Sequence, residues 1–114
     1  MVQTPTSTQD VYAAKWLVNS TGRVYADNVY GHTVQGYGEV HPDSSFILTP
    51  AIASGSKSLE NAYLYLGAAN VQSGNIAMRL PDGSSHIQQF SDYPLLAVGN
   101  LVYSNGLSEV RYYT

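Results

Sequence analysis

Residues 59–66 read LENAYLYL. Ala62, Leu64 and Leu66 alternate with Tyr63 and Tyr65, and a period of two sends the two sets of side chains to opposite faces of a strand. A helix over 58–66 is the weaker reading. Working toward the carboxy terminus, Asn75 to Leu80 repeats the alternation, with Ile76, Met78 and Leu80 inward and Ala77 and Arg79 outward. Pro81-Asp82-Gly83 then supplies a turn, because Pro presets φ and Gly accepts positive φ. His86 to Phe90 reads as the return strand. Leu95–Val98 and Leu101–Tyr103 follow as short strands, and Asn105-Gly106 reads as a two-residue primed turn leading into a closing strand over Leu107–Tyr113.

Toward the amino terminus the signals are less uniform. Residues 53–58 (ASGSKS) form a polar loop, and Ser45–Thr49 is a short apolar strand stopped by Pro50. From Thr33 to Val40, Thr33, Gln35, Tyr37 and Glu39 alternate with Val34, Gly36, Gly38 and Val40, again a strand pattern, ended by the turn His41-Pro42-Asp43. Residues 23–30 (RVYADNVY) lean to a bulged edge strand interrupted by Asp27-Asn28, after the turn Asn19-Ser20-Thr21-Gly22. Residues 10–18 (DVYAAKWLV) admit two readings. Ser7 and Asp10 could open a short helix as a capping box, whereas Tyr12, Trp16 and Val18 share a strand face, and the strand is favoured. Residues 1–9 (MVQTPTSTQ) have no apolar period and read as an extended arm. Turn signals every 8 to 12 residues or so predict an all-β fold: one small β-sandwich or jelly roll of about 7–9 short, mostly antiparallel strands over residues 10–114.

Composition narrows the function. The chain has 114 residues, the size of one domain, and can bury roughly 65% of its surface without disulfide staples. It has no cysteine, so thiolate metal sites and disulfides are excluded. Only 11% of residues are charged and the net charge is −3. The cations Lys15, Arg23, Lys57, Arg79 and Arg111 are scattered, which disfavours nucleic-acid binding. No apolar run approaches the 18 or so residues of a membrane span, and the first residues carry neither a signal peptide nor an anchor pattern.

The residues that could carry chemistry are dispersed. His32, His41 and His86 lack metal-ligand spacing, no Gly-x-Ser-x-Gly elbow occurs, and Gly36-Tyr37-Gly38 does not lead into a phosphate loop. Asp27, Glu39, Asp43, Asp82 and Asp92 include no close pair in a recognisable glycosidase context. Asn19-Ser20-Thr21 matches a glycosylation acceptor and is read as an unmodified turn. No catalytic, metal or cofactor site is expected. Ten tyrosines are the more informative feature. Tyr63 and Tyr65 lie opposite an apolar face and Tyr112-Tyr113 crowd the carboxy terminus, so this second face is a candidate interface with another chain. Thr4, Pro5 and Thr6 of the arm join it as candidate contacts. Tyrosine with scattered Asn and Ser also suits sugars, which makes a carbohydrate-binding module the alternative.

The Thr/Ser/Pro arm Met1–Gln9, the strand Leu59–Leu66 and the hairpin around Asn105-Gly106, in a cysteine-free and weakly charged chain, resemble in character the small decoration or cement proteins of tailed bacteriophage capsids. That resemblance implies a jelly-roll or β-sandwich subunit, a homo-oligomer as dimer or trimer, bound to the major capsid protein on the virion exterior without cofactor or enzymatic activity. It carries over no functional residue.

Overall fold

Ala62–Leu66 is a strand, but helices pack on both faces of the sheet it belongs to, and one of the two strands beside it runs parallel to it. The computed structural model describes residues 7–19, 22–41, 44–54 and 59–114. In order these form α1 (Thr8–Trp16), a 3₁₀ turn (Leu17–Asn19), β1 (Arg23–Ala26), α2 (Gly31–Tyr37), β2 (Ser45–Ile47), α3 (Pro50–Ser54) and β3 (Ala62–Leu66). Then follow α4 (Ala68–Ser73), β4 (Asn75–Arg79), β5 (Ser85–Gln89), a 3₁₀ turn (Phe90–Asp92), α5 (Pro94–Ala97), β6 (Asn100–Ser104) and β7 (Glu109–Tyr113). Helix, at 38%, exceeds strand, at 32%, so the expected all-β sandwich or jelly roll is replaced by a mixed α/β domain.

The sheet runs β2-β1-β3-β7-β6. β1 is parallel to both β2 and β3, while β7 is antiparallel to β3 and β6. Residues 23–26 are therefore an interior strand and not a bulged edge. A parallel neighbour needs a crossover, and α2 supplies it between β1 and β2. One face of the sheet (Val24, Ala26, Tyr65, Val110) buries Ala13 and Ala14 of α1 and Val34 of α2. The other (Tyr25, Leu64, Leu66, Tyr113) buries Ala53, Leu96 and the β4 residues Ile76 and Met78. Both sets of the alternation at 62–66 are thus covered, which a single buried face would not give. The accessible surface, 6253 Å², is close to the roughly 6,000 Å² expected of a folded chain this long.

The helices missed in the sequence carry local signals. In α1 the capping box prevails over the strand reading: the Ser7 hydroxyl accepts from the Asp10 amide and the Asp10 carboxylate accepts from the Ser7 amide, both at 3.1 Å. Residues 7–9 therefore belong to this helix and its cap, and only 1–6 of the expected arm lie outside the described residues. In α2, Tyr30, Val34 and Gly38 are buried at a spacing of four, a helical stripe that the overlapping period of two concealed. Residues 95–98 fall largely in α5, where Pro94 occupies the first turn and fits its fixed φ.

The β4–β5 hairpin forms as expected around Gly83, whose φ is +87°. Ala77 is buried rather than outward, and its amide donates to the Asp27 carboxylate. The β6–β7 hairpin also forms, but four residues separate Ser104 from its partner Glu109. Asn105 organises that loop, its side-chain oxygen accepting from the amides of Leu107 (3.1 Å) and Ser108 (2.9 Å), and Gly106 sits at φ +90°. The expected two-residue turn is corrected to this side-chain-braced loop. Since left-handed backbone excludes β-branched residues, Gly106→Val should cost about 1 kcal/mol or more, read as a lower urea midpoint. An unchanged midpoint would mean that the loop relaxes freely.

Candidate interaction surface

Two buried carboxylates set the frame. Asp27 follows β1 and is 2% exposed; Oδ1 accepts from the amides of Val29 (3.0 Å) and Tyr30 (2.9 Å), and Oδ2 from Asn70 Nδ2 (2.8 Å) and the Ala77 amide (3.1 Å). Asp10 is likewise buried, accepting from the Ala68 amide at 2.7 Å and the Ser108 hydroxyl at 2.6 Å. Each stitches together segments distant in sequence. Their acceptor positions are taken up by the fold, and Asp27 also lines a small open cavity of about 180 Å³ beside Tyr30, Asn70 and Asn75.

Asp10 also decides what the sheet exposes. Its backbone carbonyl accepts from the Tyr65 hydroxyl at 2.7 Å, which seats α1 over the Tyr65 end of β3. The helix ends at Trp16, before the Tyr63 end of the same face is covered. Tyr63 pairs across the sheet with Tyr112, ring centroids 4.8 Å apart at 53°. Trp16 meets Tyr63 edge-on at 6.1 Å and Tyr103 of β6 at 5.7 Å. Trp16 is 39% exposed and the three tyrosines are half-buried. Four rings therefore make one continuous, partly solvated surface running from β3 to the β6 edge of the sheet. Asn61, whose side-chain oxygen accepts from the Tyr112 hydroxyl at 3.4 Å, and Asn105, whose amide donates to the Tyr103 hydroxyl at 3.4 Å, flank it.

Of the residues singled out in the sequence, the structure brings Tyr63 and Tyr112 together here. Tyr65 (0% exposed) and Tyr113 (5% exposed) are core residues on opposite faces, and Tyr113 donates to the Leu96 carbonyl at 2.6 Å. Burial raises the pKa of both phenols, so they stay protonated and serve as fixed donors. Neither is available to a partner of the folded chain. Thr4, Pro5 and Thr6 lie outside the described residues, as do Ser20, Thr21, Pro42, Asp43 and residues 55–58. Trp16 and Tyr103 were missed. Tyr12 and Trp16, both exposed, stand one helical turn apart opposite the buried Ala13, Ala14 and Leu17, a pattern legible only once the segment is read as a helix.

Among the described residues no group of His, Asp and Glu could hold a metal ion, and no helix is long and apolar enough to cross a membrane. His32 on α2, His41 in the loop before β2 and His86 on β5 are each exposed and lie on separate segments. Set beside known protein families, curated proteins and solved structures, the chain finds no match in any of the three.

Proposed function

We propose that the chain is a non-enzymatic binding module whose contact face is the ring surface of Trp16, Tyr63, Tyr103 and Tyr112. The observation that carries this reading is that α1 stops short and leaves those rings together in solvent. Clustered aromatics with few charges have the composition of the well-buried centre of a protein interface. For the target, the sequence character favours the exterior of a viral shell built from a major capsid protein, with the module acting as a homo-oligomeric decoration or cement protein. The expected jelly roll is no longer part of that reading. A multivalent clamp needs only modest patches repeated many times over, whatever fold presents them.

Trp16 is the single tryptophan, so its fluorescence reports directly on this surface. Titrating the protein with shells of the virus whose genome carries the gene should shift Trp16 emission to the blue and saturate. No change at saturating shell concentration, with the protein folded, would remove either the surface or the target.

The same surface supports a second reading, carbohydrate binding, because the rings lie beside the side-chain amides of Asn61 and Asn105. A glycan array separates the two. One sugar class bound at sub-millimolar affinity, with shells ignored, would favour the lectin.

A further inference from the structure

We propose that a groove at the β2 edge of the sheet, between α2, β2 and the end of β4, binds the phosphate group of a small molecule. The groove has a volume of about 360 Å³ and lies at the opposite edge from Tyr103, so it does not depend on the ring surface. That volume falls at the lower end of the roughly 300–1,000 Å³ typical of ligand pockets.

Its polar side chains bond one another through two of their acceptors and keep most of their donors. Asn28 Oδ1 accepts from Arg79 Nη2 at 3.0 Å, which leaves the Asn28 amide N–H groups and the other guanidinium N–H groups without a protein partner among the described residues. Ser45 Oγ accepts from Gln35 Nε2 at 3.4 Å, which leaves the serine hydrogen and the second amide hydrogen of Gln35 to donate. The remaining side-chain acceptor sites are Gln35 Oε1, the second lone pairs of Asn28 Oδ1 and Ser45 Oγ, and a ring nitrogen of His32. Donors therefore outnumber acceptors, and they come from three elements.

Charge points the same way. The chain carries a net charge of −3, yet among the described residues no carboxylate lines this groove, while Arg79 does. Arg79 is held by a neutral amide oxygen, which orients the guanidinium without cancelling its charge. Its backbone is fixed too, since the Arg79 amide donates to the Leu48 carbonyl at 2.9 Å just beyond β2. His32 and Gln35, three residues apart on α2, line the same side. A carboxylate offers two oxygens to such a set, whereas a phosphate offers three terminal ones and accepts from several directions. Phe46, packed on Tyr25 at a centroid distance of 5.5 Å and itself partly exposed, gives the organic remainder an apolar wall.

The test is an amide-resolved NMR titration of the intact protein with inorganic phosphate, sodium chloride holding the ionic strength constant. Saturable shifts are expected at residues 28, 31–35, 45–47 and 79, with millimolar affinity, and acetate should bind at least about tenfold more weakly. Arg79→Gln, a change at an exposed position, should weaken phosphate at least about tenfold with its melting temperature kept, the loss of one charge-assisted contact. Shifts that rise linearly without saturating, equal affinity for acetate, or unchanged binding by a folded Arg79→Gln protein would each overturn the assignment.

Discussion

Asp27→Ala is expected to lower the unfolding free energy by about 3 kcal/mol or more. The carboxylate accepts from the buried amides of Tyr30 and Ala77, from the part-buried amide of Val29 and from Asn70 Nδ2, and an alanine removes the acceptor from all four, although Asn70 keeps its bond to the Asn75 carbonyl. Each unsatisfied buried donor costs about 1–3 kcal/mol, less where water or relaxation helps. Against the roughly 5–15 kcal/mol total of an ordinary domain this is a large fraction. The effect should appear as a lower urea midpoint. Asp27→Asn should recover only part of it, since the amide keeps one oxygen but turns its own N–H groups toward donors. A wild-type midpoint for Asp27→Ala would mean that the loop after β1, α4 and β4 are not held together through this group.

Gly67→Ala is the second large effect, and its cause is steric. The residue has φ −75° and ψ 172°, a conformation open to any amino acid, so backbone strain plays no part. A Cβ placed there would lie 2.1–2.4 Å from three atoms of the Tyr30 ring. That ring has little freedom: it is 1% exposed, packs against Tyr65 at 5.8 Å, and its hydroxyl accepts from the Ala69 amide at 3.1 Å. Overpacking of this kind costs about 1–3 kcal/mol, and the fixed ring puts Gly67→Ala at the upper end. Thermal unfolding should show a drop of several degrees. The paired variant Gly67→Ala with Tyr30→Leu should regain part of the loss if the ring is the obstacle. No regain would place the cost elsewhere.

The strands were legible where their signal was local. The alternation at 62–66 and 75–79 and the turns holding Gly83 and Gly106 lie where the residues put them. The class of fold was not legible, for reasons visible in particular residues. Thr33–Val40 fits a period of two and a period of four equally well over so short a span, and only the burial of Tyr30, Val34 and Gly38 against α1 decides for helix. At residues 10–18 the Ser7–Asp10 capping box was visible, but its weight came from Asp10 also bonding Ala68 and Ser108, contacts 58 and 98 residues away. The same long-range stitching explains the mixed result for the tyrosines. Alternation places Tyr63 and Tyr65 on one face, yet which of them meets solvent depends on where α1 ends.

The surface claim is tested most directly by co-sedimentation of the protein with undecorated shells of the virus that carries the gene. Tyr63→Ser with Tyr112→Ser removes two adjoining half-buried rings and leaves the bonds of Asp10 and Asp27 untouched, while Tyr63 also gives up its packing at the margin of the α1-side core. With its folded state checked by circular dichroism, this variant should lose at least about tenfold in affinity, the scale of aromatic anchors at an interface. Arg79→Gln, on β4 beside the far, β2 edge of the sheet, should bind shells as the unaltered protein does. Full binding by the double variant would contradict the account.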